Sequence, residues 1–97
     1  MRVLMTEVYR DWINGLKDRA GRARIQMRVD RLAHGNPGQH RNLTHGISEL
    51  KIDVGPGYRV YYTERNGELI ILLAGGDKSS QQKDIKTASA LASNLQE

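Results

Sequence analysis

The stretch from Ile47 to Asp77 limits what this chain can fold into more than any other. It holds three β-rich runs separated by two turn signals. Ile47 to Ile52 leads into Gly55-Pro56-Gly57, Tyr58 to Arg65 leads into Asn66-Gly67, and Leu69 to Ala74 closes on Gly75-Gly76-Asp77-Lys78. Asn66-Gly67 between two such runs specifies a two-residue hairpin loop, because both central residues of that loop adopt positive φ. In the longer turn Pro56 fixes φ, and the glycines tolerate the conformations beside it. A chain with this centre is built around an antiparallel meander.

The run Leu69 to Ala74 is continuously apolar, which suits a central strand covered on both sides. The other two runs alternate. Leu50 and Ile52 share one face, with Glu49 and Lys51 on the other. Val60 and Tyr62 share one face, with Arg59, Tyr61 and Thr63 on the other. A sheet with one helix-covered face buries the first sets and presents the second sets outward. Arg59 can then sit opposite Glu49, Lys51 or Asp53. Lys51 is favoured, because that pairing lets the hairpin close around Gly55.

Arg2 to Met5 can be a short first strand, and the flanks otherwise read as helices. Thr6 is a suitable N-cap, and Val8, Trp12, Ile13 and Leu16 recur at helical spacing to about Lys17. Trp12 is the single Trp and fits the core. After a break at Asp18 to Gly21, a second helix runs to about His34, with Ala23, Ile25, Val29, Leu32 and Ala33 apolar. Gly35-Asn36-Pro37-Gly38 stops it. Two helices joined by a short break form a hairpin that can cover a sheet face. Gln39 to Leu43 is a short strand or an extended loop. Ser79 and Gln82 offer a capping box, and Ile85, Ala88, Leu91, Ala92 and Leu95 give a C-terminal helix over about Ser80 to Asn94. The expected fold is α+β: an N-terminal helical hairpin packed on a small, mostly antiparallel sheet, with a C-terminal helix.

Ninety-seven residues bound one domain, 1–97, with a modest core. No Cys is present, so disulfides and thiolate metal sites are excluded. The histidines His34, His40 and His45 follow no metal-ligand spacing, and no metal or cofactor is expected. Met1 to Met5 is too short an apolar run for a signal peptide, and no run has the length to span a bilayer. The expected location is cytoplasmic. The net charge of +4 is clustered: Lys17, Arg19, Arg22, Arg24, Arg28 and Arg31 face only Asp18 and Asp30 between them. Such a cluster meets a polyanion or an acidic protein surface, or is simply a solvated helix face.

Glu49-Leu50-Lys51-Ile52, Gly55-Pro56-Gly57-Tyr58-Arg59-Val60-Tyr61-Tyr62 and Leu72-Leu73-Ala74-Gly75-Gly76-Asp77-Lys78 resemble the RelE/ParE toxin superfamily, and within it the HigB-like addiction module killer proteins. The resemblance runs through nearly the whole chain. It departs in the loop before the meander, where Gln39, Arg41 and His45 stand in place of an acidic residue, a lysine and a glycine. It departs again in the last helix, where Asp84-Ile85 replaces a tyrosine of some members.

The chemistry that the resemblance implies is metal-independent RNA cleavage by internal attack. A base takes the 2′-hydroxyl proton, a cation stabilises the phosphorane, and an acid protonates the departing 5′-oxygen. Arg59 matches the family's arginine after glycine-tyrosine, Lys78 its basic position after the last strand, and Lys51 lies near its preceding-strand lysines. These three are the candidate catalytic residues. A lysine crowded by arginines can act as base. Tyr61, Arg41 and His45 are the candidate RNA contacts, and since HigB-like members use other residues including His, the resemblance also lets His45 or His40 substitute in the chemistry. Arg19, Arg22, Arg24 and Arg28 are candidates for antitoxin binding. The implied function is a ribosome-dependent endoribonuclease toxin acting on mRNA, held in a hetero-oligomer by a helix-turn-helix antitoxin. A gyrase-poisoning ParE-like inhibitor and a catalytically degenerate antitoxin-binding module are the rivals. Structural roles compete too: Arg59 as a cross-strand partner of Glu49 or Asp53, Lys51 as a solubilising residue, Lys78 as a helix-entry residue and His45 as a turn residue.

Overall fold

The computed structural model describes residues 1–95. The chain runs β1 (Arg2–Met5), α1 (Glu7–Gly15), α2 (Arg19–Ala33), β2 (His40–Asn42), β3 (Ile47–Ile52), β4 (Tyr58–Arg65), β5 (Leu69–Asp77), a 3-10 turn (Lys78–Ser80) and α3 (Gln81–Asn94). This is an α+β arrangement with a C-terminal helix. The sheet has five strands in the order β1-β5-β4-β3-β2. The three pairings from β5 to β2 are antiparallel, and β1 lies parallel to β5, so the sheet is mixed.

The meander forms as its turn residues require. Asn66 and Gly67 both take positive φ, 57° and 66°. In the longer turn Gly55 and Gly57 do so as well, at 55° and 82°. Lys51 stands opposite Arg59. One irregularity interrupts the β4–β5 ladder: Tyr61 pairs with Ala74 but Tyr62 with Leu72, leaving Leu73 as the extra residue of a bulge.

Each N-terminal helix begins on a side-chain cap. Thr6 Oγ1 accepts from Tyr9 N at 3.1 Å, and Asp18 Oδ1 accepts from Gly21 N at 3.0 Å. The buried stripe of α1 is Tyr9 and Ile13, with Trp12 and Leu16 partly buried beside them, whereas Val8 is exposed. The apolar period was legible but its first member is Tyr9, one position later than Val8. In α2 the buried positions are Gly21, Ile25, Val29 and Leu32, and Ala23 points to solvent. Helix α1 lies mainly against β5 and β1, and α2 against β3 and β4, so the two helices divide one sheet face between them. Trp12 bridges aromatic neighbours, with ring centroids 5.7 Å from Tyr9 and 6.3 Å from Tyr58.

The other face is not open. Helix α3 crosses it, and Ile85, Ala88, Leu91, Ala92 and Leu95 pack on Ile47, Tyr61, Ile71, Leu73 and Ala74. The strand residues expected to face outward therefore lie largely under a helix. Glu49, Arg59, Tyr61 and Thr63 are buried, and only Lys51 keeps partial exposure. Both faces of β5 are covered, which is why its run is apolar without alternation. Among the described residues no helix is long and apolar enough to cross a membrane.

Candidate functional site

The three candidate catalytic residues meet at one corner of the sheet. The alternation of β4 sends Arg59 to the α3 side, beside Lys51 on β3. Arg59 also stands opposite Gly76 on β5, two residues before Lys78. Gly57 lies beside two of the three, Arg59 and Lys78. A Cβ at Gly57 would stand 3.6 Å from Arg59 Nη1 and 3.8 Å from Lys78 Cβ. Gly57 takes a positive φ, which suits glycine, and it puts no side chain beside the guanidinium. Lys78 is held out by the 3-10 turn, whose cap is Asp77. Asp77 accepts from Ser79 N at 2.8 Å, and the Ser79 bonds hold its carboxyl below the usual range. Lys78, Lys83 and Lys86 then line one open depression along the start of α3.

Arg59 is only 5% exposed. Its Nη1 donates to Tyr58 O at 3.1 Å, and its Nε lies 3.8 Å from Glu49 Oε2. That second distance is an ion pair without a hydrogen bond, and Nε is buried with no acceptor. The structural alternative for Arg59, pairing with Glu49, is thus present in the molecule.

Glu49 is the residue that sequence reasoning did not place in the site. It is fully buried. Arg41 Nε donates to its Oε2 at 2.9 Å, and Gln81 Nε2 donates to its Oε1 at 2.9 Å. A buried carboxylate needs such partners, since an unpaired charge away from water is strongly disfavoured. The one available signal was its parity, which it shares with Lys51 and which puts it on the Arg59 side of the sheet. Tyr61, directly opposite Glu49, is fully buried under α3. The stacking role expected for Tyr61 needs an exposed ring, and here its ring belongs to the second core. Burial first, and the Glu49 charge next, push its hydroxyl well above the usual tyrosine range. Asp84 adds a second carboxylate nearby, accepting from Ser80 Oγ and lying against Gly76.

The remaining candidates are scattered. His45 sits in the β2–β3 turn with φ 64°, its ring on Thr44 Oγ1. It is at the far end of β3, and roughly 13 Å of strand separates Ile47 from Lys51 alone. His40 pairs with Leu50 and so lies on the α1–α2 side of the sheet, away from Arg59. Arg41 does reach the site, through Glu49, with 52% of its side chain exposed.

The basic cluster of α2 divides in two. Arg28 is a structural brace: Nη1 donates to Lys51 O at 2.7 Å, and Nη2 to Pro37 O and Gln39 O at 3.0 and 2.9 Å. Burial, then the neighbouring Arg31 charge, lowers its pKa from the usual arginine value. Arg22 lies over the end of α1, reaching the Ile13 and Asn14 carbonyls at 3.5 Å. Arg19 and Arg24 are exposed.

The family described as phage-derived protein Gp49-like (DUF891) matches residues 11–96. The chain belongs to this family. A Haemophilus influenzae protein described as uncharacterized is 46% identical over 95 residues, which cover 98% of this chain and 96% of that protein. In this Gp49-like chain the matched segment holds the whole Lys51–Arg59–Lys78 corner, Glu49 and Gln81. Strand β1 and the first turn of α1 lie before it.

Proposed function

We propose that this Gp49-like protein is the toxin of a type II toxin–antitoxin module and a RelE/ParE-type endoribonuclease that cuts mRNA on the ribosome. The observation that carries this reading is the corner itself. A guanidinium with an unused buried donor, Arg59, stands between two lysines, one on β3 and one just past β5, with the bare Cα of Gly57 beside its Nη1. In that reading Arg59 binds the scissile phosphate and stabilises the charge that builds on it. The 2′-hydroxyl gives up its proton and its oxygen bonds to phosphorus, the P–O5′ bond breaks, the 5′-oxygen takes up one proton, and the upstream fragment ends in a 2′,3′-cyclic phosphate. Lys51 and Lys78 flank the phosphate and add charge. The message is supplied by the ribosome, because a chain of this size has room for few RNA contacts of its own.

We assign the antitoxin contact in this reading to the outer side of the helices. Arg10, Arg19 and Arg22 line a groove that also takes in Met5, Ile13 and Ala23. A segment that carries acidic residues along an apolar face is its natural complement.

The 5% exposure of Arg59 favours a second reading, a module that binds its antitoxin and cuts nothing. One experiment separates them. A defined transcript is incubated with the protein, with and without translating ribosomes, and the ends are mapped. Cleavage with ribosomes and cyclic-phosphate ends supports the nuclease. Intact RNA in both arms removes it, and broken DNA in a parallel gyrase reaction would put a gyrase inhibitor in its place.

A further inference from the structure

We infer that Glu49 is a positioning residue that fixes the Arg59 guanidinium for a phosphate while leaving its Nε–H free to bind it. The inference rests on the phosphate-binding role given to Arg59 above.

The geometry separates charge from hydrogen bonding. Both oxygens of Glu49 are already engaged: Oε2 by Arg41 Nε at 2.9 Å, and Oε1 by Gln81 Nε2 at 2.9 Å, with Arg41 Nη2 at 3.5 Å. Arg59 Nε stands 3.8 Å from Oε2, inside the range of an ion pair and outside that of a hydrogen bond. Glu49 therefore compensates the Arg59 charge without consuming its donor. Nη1 is spent on Tyr58 O, and Nε is left buried and unpartnered. Buried donors are almost always satisfied, so an exception calls for an explanation, and a ligand that brings its own acceptor is one. A phosphate oxygen is such an acceptor, matched to the planar fork of arginine.

The same carboxylate ties three elements together. Arg41 comes from β2, Arg59 from β4 and Gln81 from the first turn of α3. Two guanidinium groups share the Glu49 carboxylate, Asp84 lies nearby against Gly76, and Lys51 and Lys78 supply the positive excess for an incoming anion.

The test uses the full chain and two variants. Glu49→Gln keeps the shape and removes the charge. Glu49→Asp keeps the charge and withdraws it by one methylene. The Arg59 Nε–H resonance is followed by 15N NMR while inorganic phosphate is added, and ribosome-dependent cleavage is measured in parallel. In the parent the resonance is expected to be sharp and to shift with phosphate. In Glu49→Gln it should broaden and lose that response, and kcat should fall by about 10- to 100-fold with KM little changed, as for a misplaced catalytic group. Glu49→Asp should fall between the two, and it decides the matter if Glu49→Gln does not fold. A parent resonance blind to phosphate overturns the proposal. So does a folded Glu49→Gln protein with the parental resonance, whether its cleavage falls or not. Should the parent cut no RNA, the nuclease reading fails and the resonance alone decides whether Glu49 positions Arg59.

Discussion

The Tyr58 hydroxyl donates to Asp18 Oδ2 across 2.7 Å, tying the first residue of β4 to the N-cap of α2. Asp18 also accepts from Gly21 N, and the Gly21 bond first and the Tyr58 bond next hold its carboxyl below the usual range. On Tyr58 the Asp18 bond is the largest cause that raises the hydroxyl from 10.0 to about 12. A depressed carboxyl stabilises the fold above its unfolded pKa, and that stability is lost as pH falls through the folded value. A raised hydroxyl stabilises the fold below its unfolded pKa, and that stability is lost as pH climbs from 10 toward about 12. Tyr58→Phe is therefore expected to flatten both limbs of the melting-temperature profile. A profile parallel to the parent's at both ends would remove this bond from the account.

Gly75 lies against the ring of Trp12, and a Cβ there would run into it. Gly75→Ala must push the indole out of its place between Tyr9 and Tyr58. Overpacking of this kind costs about 1–3 kcal/mol. Urea unfolding followed by the fluorescence of Trp12 measures it directly, since no other tryptophan contributes. Parental stability with an unshifted emission maximum would contradict the contact.

Arg59→Ala is expected to slow ribosome-dependent cleavage by on the order of 100- to 1,000-fold. Glu49 keeps Arg41 and Gln81 in that variant, so the protein should stay folded. Arg59→Lys should recover only part of the rate, because charge survives and the fork does not. Circular dichroism and cleavage on the same preparations check both statements. A folded Ala variant with the parental rate ends the assignment.

Arg28→Lys should loosen the segment that joins α2 to β2. An ammonium cannot span the three carbonyls of Pro37, Gln39 and Lys51 that the guanidinium serves. The loss is about 1–3 kcal/mol. Hydrogen exchange should quicken at Gln39, His40 and Lys51, whose amide already bonds Gln39 O at 3.0 Å. Unchanged protection at these amides would show that the brace is dispensable.

Arg10→Glu with Arg19→Glu should weaken binding of the proposed antitoxin, more so at low salt, with little change in melting temperature. Both side chains are exposed and neither has an internal partner to lose among the hydrogen bonds and ion pairs described. Titration of the complex at two ionic strengths reads the effect. An affinity that does not move takes these arginines out of the interface.

The meander was legible because its information is local. Asn66-Gly67 sets one hairpin, and the reach of the Gly55 to Gly57 turn puts Lys51 opposite Arg59. What lies over the second sheet face was not local. Glu49, Arg59 and Tyr61 alternate with apolar residues as solvent-facing positions do. Their burial depends on where α3 lies and on the donors of Arg41 and Gln81, which come from distant parts of the chain. The parallel pairing of β1 with β5 left no trace in Arg2 to Met5 for the same reason. The corner of Lys51, Arg59 and Lys78 was found from single strands, and Glu49 only as a possible cross-strand partner of Arg59; its bonds to Arg41 and Gln81 form only when three elements meet.

Strand β1 gives the molecule a timetable. Thr6 Oγ1 donates to Leu73 O over a sequence separation of 67, beside the rungs that hold Arg2 to Met5 on β5. During synthesis the first strand therefore waits, unpaired, until nearly the whole meander has been made. Helix α3, which supplies Gln81 to Glu49, arrives later still. A nascent chain released at any earlier point would lack the last rungs of the sheet and the set of donors around Glu49. The finished cationic corner exists only once α3 has been made.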